Sequence, residues 1–142
     1  MSAVFHDYIP LWAGDPTDAT LGLDMASLAD VAVIPVPYKC QVRRVALLYT
    51  TTGTAAAAVE FDQRVLAGSD TGRVNFATVS KGASDQQGKY IYEDPTTSVV
   101  LNEGDEIVVE VTDVEASGRA WAIVLIERMP EVPANQADMV AG

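Results

Sequence analysis

The chain carries little with which to do chemistry. Its 142 residues include one cysteine, Cys40, and one histidine, His6. A lone thiol excludes an internal disulfide framework and fits synthesis in a reducing cytoplasm. An apolar strand pattern follows Cys40, so a buried, inert thiol is expected. One His and one Cys fall short of the three or four N/S ligands of a zinc site. His6 lies in a segment without a rigid scaffold to hold it against a nucleophile, so no Ser-His-Asp or Cys-His arrangement is expected.

Positive charge is equally scarce. Nine Lys and Arg stand against twenty Asp and Glu, a net charge of −11, and Arg43-Arg44 is the sole adjacent basic pair. Nucleic-acid binding needs a basic stripe to replace counterions on phosphate, and none is present. An anionic membrane surface would repel such a chain. No run approaches the ~18 apolar residues of a membrane span. Met1 to Leu11 lacks the basic start and apolar core of a signal peptide. The expectation is a soluble, cytoplasm-made protein with no nucleic-acid and no membrane partner. Aromatic residues make up 7% of the chain, so the position of each carries information.

What is present is strand pattern. About half the residues are apolar, enough for a core, and the length suits one domain. Residues 31–129 read as about eight short strands separated by polar turns. Val45, Leu47 and Tyr49 share one face of a strand over 42–50. Val59 and Phe61 alternate with Glu60 and Asp62. Asn102-Glu103-Gly104-Asp105 is a turn between apolar runs, and 120–128 is the most apolar strand. Pro35 and Pro37 confine 31–36 to an edge strand or a strand end. No long helical pattern intervenes, so the expected fold is an all-β antiparallel sandwich, jelly-roll-like. Residues 1–30 contain five Asp and no Lys or Arg, with Pro10 and Pro16 breaking any helix. They read as an extended N-terminal arm, and residues 130–142 read as a C-terminal tail.

Candidate sites follow from exposure and pairing. In the arm, Phe5, Tyr8, Ile9, Leu11 and Trp12 have no local fold to bury them. Exposed aromatics of this kind anchor interfaces, so these are the expected partner-binding residues. Trp121, within the most apolar strand, is expected in the core. Tyr90 and Tyr92 share a face of a short strand, where they either pack in the core or stack on a sugar ring. Glu60 and Asp62 lie on one strand face, a geometry glycosidase carboxylates use, but a solvated face beside Arg64 is the expected reading. Asp105, Glu106, Glu110 and Asp113, or Asp15, Asp18 and Asp24, offer carboxylates to calcium without matching a dense loop motif. No catalytic residue, metal or cofactor is therefore assigned, and the chain is expected not to be an enzyme.

The segment from Leu101 to Thr112 (Asn-Glu-Gly-Asp-Glu-Ile-Val-Val-Glu-Val-Thr after the leucine), with Ala120-Trp-Ala-Ile-Val-Leu-Ile-Glu, resembles the last hairpin of small jelly-roll structural proteins of tailed phages. Ile34-Pro-Val-Pro-Tyr-Lys-Cys-Gln-Val-Arg-Arg-Val is similar to their entry strands. These proteins include capsid decoration (cement) proteins and fibre or tail modules. The resemblance covers residues 31–129 and implies a non-enzymatic virion protein on the outer capsid surface, assembled in the host cytoplasm. It also implies a homo-oligomer, commonly a trimer, whose partner is the major capsid protein. A carbohydrate- or receptor-binding sandwich of a fibre or tail, stacking sugars on Tyr90 and Tyr92, is the alternative.

Overall fold

A computed structural model describes residues 8–14, 22–65, 68–83 and 90–130. The described residues form strands and connections, with no helix among them. In chain order the strands are β1 (Tyr8–Ala13), β2 (Leu23–Asp24), β3 (Ala29–Pro35), β4 (Cys40–Thr51) and β5 (Ala57–Arg64). β6 (Val74–Lys81), β7 (Tyr90–Glu93), β8 (Val100–Leu101), β9 (Glu106–Asp113) and β10 (Arg119–Arg128) follow.

They build two antiparallel sheets. One has six strands in the order β1-β10-β4-β7, with β2 extending the β1 edge along β10 and β8 extending the β7 edge along β4. The other has four strands in the order β3-β9-β5-β6. The expected all-β, jelly-roll-like sandwich is the fold of this chain.

The facing sides of the sheets form the core. The period-2 pattern places Val45, Leu47 and Tyr49 of β4 inward with Ala120, Ala122, Val124 and Ile126 of β10. Opposite them lie Val59 and Phe61 of β5, Val79 of β6, and Ile107, Val109 and Val111 of β9. Burying one such Val, Leu, Ile or Phe contributes about 1.5–3 kcal/mol before entropy is counted. Pro10 and Pro35 both sit in edge strands, where a missing N–H leaves no gap inside a ladder.

Residues 1–30 contribute β1, β2 and the start of β3. β1 pairs with β10 over six residues, from Tyr8 opposite Glu127 to Ala13 opposite Ala122. Leu11 and Ala13 pack against the core. Phe5 and His6 lie outside the described residues, as does the expected tail from residue 131.

An ion pair closes one end of the sandwich. Lys81 and Glu115 have fully buried side chains, with Nζ 3.2 Å from Oε1. Nζ also donates to the carbonyls of Ala55 (2.8 Å) and Gly82 (3.1 Å), so the ammonium has three acceptors. The Gly53 N–H donates to Glu115 Oε1. Gly53 and Gly118 press on the carboxyl group, and a Cβ at either would lie 3.0–3.1 Å from Glu115 atoms. Three connections, before β5, after β6 and after β9, are thereby tied together.

Candidate docking face

The outward side of the six-stranded sheet is set by the same alternation that fills the core. Because Ala120, Ala122, Val124 and Ile126 of β10 point inward, Trp121, Ile123 and Leu125 point outward. This corrects the expected core position of Trp121. Local hydrophobicity favoured the core, but parity along the strand decides the face. The β1 register places Tyr8, Pro10 and Trp12 beside these residues, opposite Glu127, Leu125 and Ile123. On the far side β7 pairs Tyr90 with Leu48 and Tyr92 with Ala46, so both tyrosines also face outward.

The result is an aromatic surface running from β1 to β7. Trp12 remains 54% exposed, Tyr8 51% and Tyr92 49%. Trp12 and Trp121 meet edge-to-face, with ring centroids 6.2 Å apart and planes at 75°, an arrangement favoured by the ring quadrupoles. Gly14 lies against Trp121, and a Cβ there would fall 2.2 Å from the indole ring. Tyr90 and Tyr92 lie 5.7 Å apart.

The charges on this face are internally balanced. Arg43 donates to Glu127 at 2.6 Å. Arg44 donates to both oxygens of Asp94, at 2.6 and 3.0 Å. Its guanidinium also lies 3.7 Å from the Tyr92 ring centroid, which covers one face of that ring. Hydrogen bonding from Arg44 holds the Asp94 carboxyl below the usual carboxylate range, and the same bond raises the Arg44 pKa. Tyr8, Arg43, Arg44, Asp94 and Leu125 surround a shallow hollow of about 290 Å³ in this face.

The expected arm anchors separate by face. Tyr8 and Trp12 point outward, Ile9 is 38% exposed on the inner side of the sheet edge, and Leu11 is half-buried against the core. The sequence signals that would have found Trp121 and Arg44 are the parity of β10 against its alanines and the β7 register. Both emerge only once strand pairing is known.

The carboxylates singled out from sequence lie on the other sheet. Glu60 and Asp62 share its outward face, and Glu60 stands directly opposite Glu110. Oxygens of Glu60, Asp62 and Glu110 come within 4.8 Å of one another. Arg73 is the cation that answers them. It donates to Asp62 at 2.7 Å, Asp30 at 2.8 Å, Glu110 at 2.9 Å and Asp70 at 3.2 Å. Its pKa is raised, first by the hydrogen bond to Asp30, and the same bond lowers that of Asp30. Glu60 is pushed upward by burial and then by Asp62 and Glu110. Arg64, expected beside this pair, instead serves Glu106 at 2.9 Å and Asp70 at 3.5 Å. The Gly68 N–H bond, followed by Arg64, holds Glu106 low.

Most of the described carboxylates of the two calcium sets have protein partners. Asp105 accepts from Gln63 and from the Asn102 N–H, Glu106 from Arg64, and Glu110 from Arg73. Asp24 caps the Ala26 N–H, while Asp15 and Asp18 lie outside the described residues. Cys40 is fully buried, and burial followed by Asp105 pushes its thiol up to about 11, the inert thiol expected.

Comparison with known proteins identifies the fold. No family model matches the chain, and no curated protein matches it. Among solved structures, one described as Eiger TNF from S. frugiperda superposes with a TM-score of 0.54 at 11% identity. The match covers 89% of this chain and 97% of that one. At this identity the likeness is one of architecture, a TNF-like jelly roll.

Proposed function

We propose that the chain is a non-enzymatic structural protein of a virion, a capsid decoration protein that docks through the outward face of its six-stranded sheet. The observation that carries the reading is that aromatic face. A net charge of −11 makes the chain acidic overall, yet here Tyr8, Trp12, Tyr90 and Tyr92 stand exposed around paired charges, with Trp121 half-buried beside Trp12. Exposed aromatics around satisfied polar groups are the composition of an interface core.

The partners in this reading are copies of the chain itself and the major capsid protein. Like-charged copies repel through the rest of their surface, and the neutral aromatic face is where they can approach. Its two aromatic groups lie at opposite edges, along β1 and along β7. A head-to-tail contact between them closes into a ring, a trimer being the expected size. The carboxylates around Arg73 serve as an ion-pair cluster and not as a glycosidase pair, since Asp62 is buried and engaged by Arg73.

Co-sedimentation with phage heads tests the reading. The wild-type chain is expected to pellet with heads, and a Trp12→Ala, Tyr92→Ala chain with unchanged circular dichroism is expected to stay in the supernatant. Undiminished binding by that variant would contradict it. Glycan binding lost on Tyr90→Ala would favour the alternative fibre or tail module instead.

A further inference from the structure

A cleft lies where the chain leaves β10. It holds about 550 Å³, and Pro37, Tyr38, Lys39, Arg128, Met129 and Pro130 line it. The cations here are anomalous. With twenty acids to nine bases, Arg43, Arg44, Arg64, Arg73 and Lys81 are all committed to carboxylates. Lys39 and Arg128 share the cleft without an ion pair to any described residue. Glu103 also stands on its rim, and no ion pair joins it to either cation. Arg128 lies 4.8 Å from the Tyr38 ring centroid, which orients its guanidinium along the cleft wall. The Met129 N–H donates to the Lys39 carbonyl at 3.0 Å, fixing both walls to each other.

We propose that this cleft seats an acidic peptide segment, residues 131–142 of this chain. The segment follows the cleft wall directly from Pro130. It carries Glu131 and Asp138 and no Lys or Arg, and its Val132, Pro133, Met139 and Val140 suit walls made by Pro37, Tyr38, Met129 and Pro130. The span from Pro130 to Asp138 reaches at most about 28 Å, enough to cross the cleft. Asp138 meets Lys39 and Arg128 in this arrangement, supplying the carboxylate that the described residues do not. The proposal is independent of the virion reading and of the aromatic face.

Zero-length carbodiimide coupling of the 142-residue chain, followed by peptide mass spectrometry, tests it. Glu131 adjoins Pro130 in sequence and its coupling is uninformative, so the diagnostic product is an amide between Lys39 and Asp138. The expected result is that product, suppressed at least tenfold at 0.5 M salt or by Arg128→Glu. Hydrogen exchange supplies a second readout. Amides of 134–142 should exchange at least tenfold more slowly than in the isolated peptide, and Lys39→Glu with Arg128→Glu should abolish the protection. Lys39 coupled only to Glu103 or Glu131, or residues 134–142 exchanging at the rate of the free peptide, would overturn the proposal.

Discussion

Individual side chains here are decided by which face of a strand they occupy and what charge meets them there. Lys81 and Glu115 are the extreme case, since each is fully buried and holds the other. Removing one partner strands a charge in the interior, so Lys81→Met is expected to cost about 3–5 kcal/mol in urea unfolding. Lys81→Met with Glu115→Met should recover most of that loss. Equal losses in the single and double variants would show that the pair is not coupled. Glu60 makes the opposite prediction. It faces Glu110 across the ladder and its pKa is raised by burial and its neighbours. A carboxyl with a raised folded pKa is penalised at neutral pH and relieved as pH falls through that pKa. Glu60→Gln should therefore stabilise the protein at pH 7 by a few tenths to about 1 kcal/mol, the scale of a cross-strand pair. The gain should vanish below the ordinary glutamate range, and thermal melts at pH 7 and at low pH read the difference. Gly14 is a steric site: Gly14→Ala should force Trp121 off its position, at about 1–3 kcal/mol, with a change in tryptophan fluorescence.

At the scale of elements, the informative strand is β1. Its composition (Tyr8, Ile9, Pro10, Leu11, Trp12) suggests an unsupported arm, because a six-residue segment with a proline gives no amphipathic period strong enough to declare a partner. The pairing with β10 resolves it into an outward set and an inward set. The strands of residues 31–129 were legible because each carries its own alternation and its own turn signal. β1 and β2 were not, because their inward residues become core only when β10 lies alongside. The same limit explains Trp121: hydrophobicity along β10 is nearly continuous, and only the inward alanines reveal that the indole faces out. The Arg73 cluster was half legible. Glu60 and Asp62 share a face by parity, but Arg73 reaches them from the loop before β6, which no local pattern predicts. Removing residues 1–14 should therefore act as more than loss of an arm. It uncovers Ala122 to Glu127 along the β10 edge, and an open edge pairs with other chains. The truncated protein is expected to melt at lower temperature and to aggregate, measured by light scattering on heating.

For the whole molecule, the sandwich has two unlike outer faces. The outer side of the four-stranded sheet carries a half-buried carboxylate cluster organised by Arg73. The six-stranded sheet turns aromatic rings and paired charges outward. On a chain of net charge −11 the second face is the one we propose for contact between copies. Sedimentation equilibrium of the purified chain, beside its Trp12→Ser, Tyr92→Ser variant, tests that claim most directly. The wild-type mass is expected to be a whole multiple of the 15.1 kDa chain, three being the expected number, and the variant to fall to a single chain with its strand content intact. A wild-type chain that sediments as a monomer, or a variant that keeps the wild-type mass, would contradict the account.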